Sequence, residues 1–574
     1  MKYVLVSGGV VSGVGKGIIA SSAGLLLKTI GLRVTAIKID PYINVDAGTM
    51  NPKEHGECFV LQDGGESDLD LGNYERYLGL DLTRDNNITT GKIYQHVIEK
   101  ERRGDYLGRT VQVVPHITTA IIEHIERVAK IAVDKSDVEP DVCIVELGGT
   151  VGDIESMPFV EALTQLRHKA GKANFININV SYIPIVNGEQ KTKPTQHAVK
   201  SVRSAGLIPD LIACRCERPL EQVTMGKIAQ SCQVEVEQVI AVRDMPTIYQ
   251  VPILLEQQGL LDLLRQTLNL EQVPLTPSLV TKGVETWRMW NMIIPQEHSA
   301  KLDIALVGKY VELPDAYLST VKSLEHSAMR CGRKLNLIWV DSEQLEDETQ
   351  RSDPVAFYKA WHQVSTAAGV LVPGGFGQRG TEGMIKAAQW ARERKRPYLG
   401  VCLGMQIAVI EFARHVCGMA NATSEEFDAQ AEHRLIIFMP EGSKDTMGGT
   451  MRLGSRATHF QPGSEYSKLR ALYSEATVIR ERHRHRYEVN PDYVDTLDAA
   501  GMTFIGKDDS GNRMEIFELK DHPWFVGVQY HPEYLSRVLD PSRPYLGFVA
   551  AAAGCLDRIT QQALEQIENG HFTF

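Results

Sequence analysis

No stretch of the sequence approaches the ~20 consecutive apolar residues that a membrane-spanning helix needs. Met1 leads almost at once into the strand-like run Tyr3-Val4-Leu5-Val6, so no secretory leader is expected either, and a cytoplasmic location is. An excess of positive charge is also missing. The formal net charge of −11 argues against a general nucleic-acid surface, because such surfaces are basic as a whole. Small anionic ligands stay open, since a few lysines focused in a cleft can hold a triphosphate whatever the overall balance. Cysteine is sparse: the nine thiols are odd in number and scattered from Cys58 to Cys555, which fits a reducing compartment rather than a disulfide framework. Cys214 and Cys216 lack a second cysteine or histidine pair at finger-like spacing, so they read as free or buried thiols. Repeats and low-complexity tracts are absent as well.

What the chain does contain is alternation. Its 574 residues are too many for one core, and 43% hydrophobic with 23% charged residues is ordinary for a globular protein. Up to about residue 272, apolar runs such as Val34–Ile39, Val142–Val145, Phe175–Val180 and Leu211–Cys214 alternate with helical patterns. Residues 273–300 break the rhythm with Pro274, Pro277 and Pro295, and read as a linker with one short helix near Thr286–Trp290. The rhythm restarts at Leu302–Val307 and runs through Lys334–Val340, Gly369–Val372 and Tyr398–Val401. The expected fold is α/β, with two doubly wound parallel-sheet domains over residues 1–272 and 301–560 and a C-terminal tail over 561–574. The stretches Glu343–Asp353 and Ala422–Glu432 read as solvated loops or insertions.

The first domain opens on a phosphate-binding pattern. Ser7-Gly-Gly-Val-Val-Ser12-Gly13-Val14-Gly15-Lys16-Gly17-Ile18 follows a strand and precedes a helix, and its glycines let backbone N–H groups close on an anion. The pattern G-x-x-x-x-G-K-[ST] would want glycine at Val10 and a hydroxyl at Gly17, so magnesium ligands must come from elsewhere. Glu146 and Asp70 are the candidates, with Lys38 as a further cation near the same sheet edge. A second cluster, Lys191-Thr192-Lys193-Pro194-Thr195-Gln196, crowds cations and hydroxyls onto a helix start opened by Pro194, and reads either as a second polyphosphate site or as a capped helix with surface lysines. The acidic loop Asp153-Ile154-Glu155 could bind a sugar or base. Two polyphosphate sites in one domain suggest phosphoryl transfer between nucleotides, by positioning and charge neutralisation.

In the second domain one cysteine stands out. Gly400-Val-Cys402-Leu403-Gly404-Met405-Gln406 sits between an apolar strand and a helix, the cysteine form of a nucleophile elbow. Of the 17 histidines, His531 carries a partner beside a strand end, in His531-Pro-Glu533, so it reads as base and Glu533 as its orienter. The Leu403 N–H and the loop Pro373-Gly374-Gly375-Phe-Gly377 supply oxyanion donors. Together these define thiol acyl transfer without naming the acyl group.

These residues, in this order and with this pairing of domains, resemble the CTP synthase family over nearly the whole chain, a synthetase (amidoligase) domain joined to a class I glutamine amidotransferase domain. The resemblance implies an enzyme, a C–N ligase in which ATP phosphorylates O4 of UTP and ammonia, released from glutamine at Cys402, displaces the phosphate to give CTP. It implies ATP contacts at Gly13, Val14, Gly15, Lys16, Gly17, Ile18, Lys38, Asp70, Arg243, Asp244 and Met245, and Mg2+ at Asp70 and Glu146. It implies UTP or inhibitory CTP contacts at Ser12, Asp153, Ile154, Glu155, Lys191, Thr192, Lys193, Pro194, Thr195, Gln196 and Lys227. Glutamine would touch Gly375, Leu403, Gly404, Met405, Gln406, Glu426 and Arg486, with His55 at a gate on an internal ammonia route. GTP would activate through the loop around Arg379. A homotetramer is implied, with filaments as a further possibility. Cys58 and Gln62 depart from the Val and Asp expected near the gate loop. Two other readings remain: an amidotransferase acting on a carboxylate substrate, against which the Lys191–Gln196 cluster argues, and a filament-forming nucleotide sensor, against which the full set Lys16, Cys402, His531 and Glu533 argues.

Overall fold

The computed structural model describes residues 1–9, 13–134, 136–294, 300–439 and 451–568. The chain folds into two compact units, Met1–Asp46 with Asp70–Pro295 and Ala47–Leu69 with Gln296–Phe574.

The first unit is built on seven parallel strands, β1 (Lys2–Gly8), β2 (Val34–Asp40), β3 (Asn87–Thr89), β4 (Val142–Leu147), β5 (Phe175–Tyr182), β6 (Leu211–Cys216) and β7 (Val239–Arg243). Their order is β7-β6-β5-β1-β4-β2-β3, so the winding reverses beside β1. Such a reversal opens a crevice at the carboxyl ends of the strands, where ligands of open α/β sheets bind. Every residue of β2 and β4 is buried, as expected of strands covered on both faces. The sheet is flanked by α1 (Lys16–Thr29), α2 (Asp70–Leu78), α3 (Lys193–Ser204) and α4 (Pro277–Ile293).

Helix α4 replaces most of the expected linker. Pro274 precedes it and Pro277 occupies its first turn, where a missing N–H costs nothing, so two of the prolines read as breaks mark its beginning. Pro295 lies outside the described residues. A Cβ on Gly283 would lie 2.4 Å from Thr29 O, so α4 docks closely on the end of α1. Trp290 is buried and its indole N–H donates to Tyr249 O at 2.9 Å.

The second unit has a nine-stranded sheet: β8 (Lys301–Gly308), β9 (Lys334–Asp341), β10 (Gly369–Val372), β11 (Tyr398–Val401), β12 (Arg452–Phe460), β13 (Val478–His485), β14 (Thr503–Lys507), β15 (Met514–Glu518) and β16 (Phe525–Val528). The order is β9-β8-β10-β11-β16-β15-β14-β12-β13. The first five strands are parallel, as alternation predicts, and four antiparallel strands extend the sheet. Helices α5 (Leu318–Arg330) and α6 (Leu403–His415) pack on it. The acidic stretch expected as a loop forms helical turns at Ser342–Leu345 and Asp347–Ser352. Within Ala422–Glu432, Ala422 is fully buried and Thr423–Ser424 pairs with Arg434–Phe438, because the apolar Ala422 anchors the segment to the core. Helix Leu556–Glu568 occupies the first part of the expected tail.

Residues 47–69 group with the second unit, whereas the sequence reads as one continuous first domain. The segment folds back as a short hairpin, Phe59–Val60 against Glu66–Ser67. Within this unit Tyr534 donates to Cys58 O at 3.0 Å, Arg484 pairs with Glu66 at 2.9 Å, and Glu57 accepts from Ser319 N at 2.9 Å.

Candidate functional site

Each unit carries a candidate site among its described residues. In the second, the turn from β11 into α6 presents Cys402 at φ 52, ψ −102, a left-handed backbone that costs a non-glycine residue energy. The neighbours make the turn possible. A Cβ on Gly400 would lie 2.4 Å from Gly404 O, and one on Gly404 would lie 2.0 Å from Val372 O. Only glycine fits at either position. The main chain of Cys402 is tied to β16 by its N–H, which donates to Val528 O at 2.8 Å.

The histidine and glutamate predicted from sequence stand together. His531 Nδ1 donates to Glu533 Oε1 at 2.7 Å, and both side chains are buried. Burial by itself lowers the imidazole pKa, but the Glu533 carboxylate and the Cys402 sulfur outweigh it and raise the pKa to about 10. The ring therefore carries a proton at neutral pH. A Cβ on Gly374 would lie 2.8 Å from His531 Cε1 and 3.7 Å from Cys402 Cβ, so the Gly374–Gly375 backbone passes directly over the pair. That loop is held by Lys309, whose ammonium donates to the carbonyls of Phe376 and Gly377, while Arg379 donates to Lys309 O. Burial lowers the Lys309 pKa to about 8.

Two adjoining cavities meet here. One of about 70 Å³ is lined by Cys402, His531, Gly374 and Gly375. A larger one of about 590 Å³ is lined by Glu426, Arg486, Tyr487 and, from the 47–69 segment, Gly48 and Met50. Tyr310, Phe376 and Arg484 line both. Glu426 Oε1 accepts from Gly377 N at 2.7 Å, and burial raises its pKa. Leu403, Gly404, Met405 and Gln406 form the first turn of α6, whose leading N–H groups lack helical partners. His55 ends the short helix Pro52–His55 and is exposed. Of the two departures, Cys58 lies buried with Sγ 3.7 Å from Glu66 Oε1, and Gln62 acts through its carbonyl, which accepts from Ser455 N at 2.9 Å. A main-chain contact tolerates a changed side chain.

In the first unit the glycine loop leads into α1, with Gly13 and Gly15 at positive φ, Val14 and Gly17 buried and Ile18 half-buried. Ser12, with Val10, lies outside the described residues. Lys16 Nζ donates to Gly149 O at 2.9 Å. Lys38 is ringed by acids: it pairs with Asp70, and lies 3.3 Å from Asp40 and 3.6 Å from Glu146. Burial pushes the carboxyls of Asp40 and Glu146 up, and Lys38 opposes it. Glu146 lies inside β4 rather than beyond its end, and Tyr74 of α2 donates to it. The absent side chain of Gly17 faces Glu146 Oε2 and Asp70 Oδ1, which would lie 3.4 and 3.6 Å from a Cβ there. Hard carboxylate oxygens around that space suit magnesium.

The second cluster is only partly assembled. Pro194 lies in the first turn of α3, as expected, and buried Thr195 accepts from Ser181 Oγ at 2.8 Å. Gln196 donates to Thr192 Oγ1 at 2.9 Å, while Lys191 pairs with Glu189 at 2.5 Å on the surface. A Cβ on Gly9 would lie 3.3 Å from Ala198 Cβ, so α3 packs against the strand leading into the glycine loop. Asp153, Ile154 and Glu155 form an exposed turn, and Lys227 is exposed on the helix Gln222–Cys232. Arg243, Asp244 and Met245 follow at the end of β7, where Asp244 pairs with Arg215 at 3.0 Å. Arg215 in turn would lie 3.5 Å from a Cβ on Gly15. Sequence reasoning misses Arg215, Asp40, Tyr74 and Lys309; no local motif marks them.

Among the described residues no helix is long and apolar enough to cross a membrane. Residues 2–270 match the family described as CTP synthase N-terminus, and residues 312–551 the family described as glutamine amidotransferase class-I. The chain is 76% identical to the CTP synthase of Neurospora crassa over 565 residues, covering 98% of each. It is 60% identical to that of Schizosaccharomyces pombe over 575 residues, covering 100% of this chain and 96% of the relative. It is 58% identical to CTP synthase 1 of Saccharomyces cerevisiae over 565 residues, covering 98% of each. Among solved structures, the glutaminase domain of Trypanosoma brucei CTPS with bound acivicin is 38% identical, with a TM-score of 0.41, covering 44% of this chain and 94% of that one.

Proposed function

The chain belongs to the CTP synthase family, and from that premise we propose how its residues divide the reaction. It is a glutamine-hydrolysing ligase that aminates UTP to CTP at the expense of ATP. We assign nucleotide activation to residues 1–272 and nitrogen release to residues 301–560. The observation that carries the assignment is the 2.7 Å His531–Glu533 pair beside a cysteine held in a strained turn.

At that turn the Cys402 sulfur attacks the side-chain amide carbon of glutamine, forming a C–S bond while the carbonyl electrons move to oxygen. The Leu403 N–H and the Gly374–Gly375 backbone stabilise the oxyanion. As the intermediate collapses the C–N bond breaks and the proton on His531 goes to the departing nitrogen, releasing ammonia. His531, now neutral, takes a proton from water, whose oxygen attacks the thioester carbon; the C–S bond breaks, the sulfur leaves as thiolate and glutamate is freed. Glu533 fixes the ring and favours its charged form. Glu426 and Arg486 offer opposite charges to the amino-acid end of glutamine.

In the first unit the N–H groups of Gly13–Ile18 with Lys16 hold the phosphates of ATP, and Arg243–Met245 with Arg215 border the nucleotide. Lys38 counters the negative charge that builds on the transferring group. Asp70 and Glu146 would hold magnesium, which neutralises phosphate charge when bound. Lys191–Gln196, Ser12 and Lys227 bind UTP, and Asp153–Glu155 take part with CTP as inhibitor. GTP acts through the Arg379 loop, His55 gates ammonia, and the enzyme assembles as a homotetramer able to form filaments. All nine cysteines are free thiols, which supports a cytoplasmic location.

The test is synthesis of CTP from ATP, UTP and either nitrogen source. Cys402→Ala is expected to abolish glutamine-dependent synthesis and retain ammonia-dependent synthesis. Loss of both in a folded variant overturns the division of labour.

A further inference from the structure

Beside the nucleophile lies a buried amide that glutamine hydrolysis, as derived from Cys402, His531 and Glu533, does not use. Gln529 directly follows β16 and is 1% exposed. Its main-chain N–H donates to Glu515 O at 2.9 Å. Gln529 Nε2 lies 3.6 Å from Cys402 Sγ.

Oxygen and nitrogen of a glutamine amide have the same shape, so which end faces the sulfur must be settled by partners. Gln406 settles it. Its Nε2 lies 2.9 Å from Tyr487 O, a carbonyl that can only accept, so that end of Gln406 is the NH₂ group. The same nitrogen lies 3.2 Å from Gln529 Oε1 and donates its second proton there. The other end of Gln529, facing Cys402, is therefore NH₂. The sulfur also lies 3.8 Å from Arg484 O, which can only accept. Gln529 is thus a neutral donor set against a neutral acceptor.

We infer that Gln529 is a hydrogen-bond donor to the catalytic sulfur, oriented by Gln406, and that it favours the thiolate both before attack and when the sulfur leaves the thioester. An N–H aimed at sulfur interacts more strongly with the anion than with the thiol or the neutral thioester. Its contribution belongs to the two steps in which sulfur carries charge.

The inference rests on Cys402 being the nucleophile, and one experiment separates the two. Alkylation of the full-length enzyme by iodoacetamide is followed against pH and located at Cys402 by peptide mass. Failure to label Cys402 in the parent at any pH overturns the reading of Cys402 as nucleophile. Given labelling, Gln529→Met keeps the volume and removes the donor; its alkylation profile should move up by about one pH unit, with about a tenfold loss of glutamine-dependent kcat/KM at neutral pH. Gln529→Glu keeps the shape but places an anion beside sulfur, so its profile should move further. If Gln529 only filled space, Glu would be the milder change. A profile unmoved in the Met variant, or moved less by Glu than by Met, overturns the inference. If melting shows that the Met variant is unfolded, Gln529→Asn, which retracts the same amide, is read in its place, and an unmoved profile there likewise overturns it.

Discussion

Both units build a site on a turn between a parallel strand and a helix, yet the two turns work by opposite means. Beside the turn after β1 the described residues gather charges from separate segments: Lys38 from β2, Asp70 from α2, Glu146 from β4. The turn after β11 pushes a single side chain out, and its partners His531 and Glu533 follow one another in sequence just beyond the next strand of the sheet, β16. The first site is a balance of charges, and the second a fixed shape. The first should fail when a charge is removed, the second when an atom is added.

Gly404→Ala tests the second half of that contrast and should have the largest effect. Its methyl would meet Val372 O at 2.0 Å, and nothing at a main-chain carbonyl between two core elements can swing away. Displacing Cys402 by even an ångström is expected to cost about a hundredfold in glutamine-dependent turnover, while ammonia-dependent turnover persists. Parallel assays with the two nitrogen sources decide it; an Ala variant active with glutamine would mean that the turn is soft.

Lys38→Met tests the first half. It keeps bulk and removes the cation shared by Asp40, Asp70 and Glu146, so buried carboxylates lose their partner at a cost of about 3 kcal/mol in stability. CTP formation should fall with glutamine and with ammonia alike. Retention of either activity would break the picture of a charge-balanced site.

The contrast also explains what could be read from the sequence. Cys402, His531 and Glu533 are legible because the elbow and the His-Pro-Glu run are local, and local sequence dictates local backbone. Pro194 is legible for the same reason, since it can only open the helix. The charge cluster is not local. Asp40 and Tyr74 stand among ordinary strand and helix residues and acquire a role only when β2, α2 and β4 meet. Glu146 is legible as a site residue but reads as a strand end, because a carboxylate in a buried strand is expensive until Lys38 and Tyr74 are known to flank it. Gln529 and Lys309 escape notice because a buried amide or lysine in an apolar context has no signature before its partners are seen. Helix α4 is hidden by its flanking prolines, and the placement of residues 47–69 rests on pairs as remote as Cys58 with Tyr534.

A smaller effect should come from Glu533→Gln, and its pH dependence sharpens the shape side of the comparison. In the folded protein the His531 pKa is raised to about 10, above the ~6.5 of an unfolded chain. A raised pKa stabilises the fold fully below about pH 6.5, and that contribution is lost as pH rises through about 10. The gap in melting temperature between parent and Glu533→Gln should therefore be widest below about pH 6.5 and close toward pH 10. A gap that widens with pH would mean that Glu533 does not hold the proton on His531.

The smallest structural effect belongs to the periphery of the charge-balanced site. Lys191 pairs with Glu189 in the open, and an exposed pair contributes about 0–1 kcal/mol because solvent screens it and two long side chains must be ordered. Lys191→Ala should leave the melting temperature nearly unchanged. Its charge nonetheless matters to a triphosphate arriving at the start of α3, since long-range attraction needs no fixed geometry. The concentration of UTP needed for half-maximal rate should rise several-fold, with the maximal rate little altered and the difference shrinking as salt is added. If instead the maximal rate fell and salt had no effect, Lys191 would belong with the residues that fix geometry, and the line drawn between the two kinds of site would run through the first unit rather than between the turns.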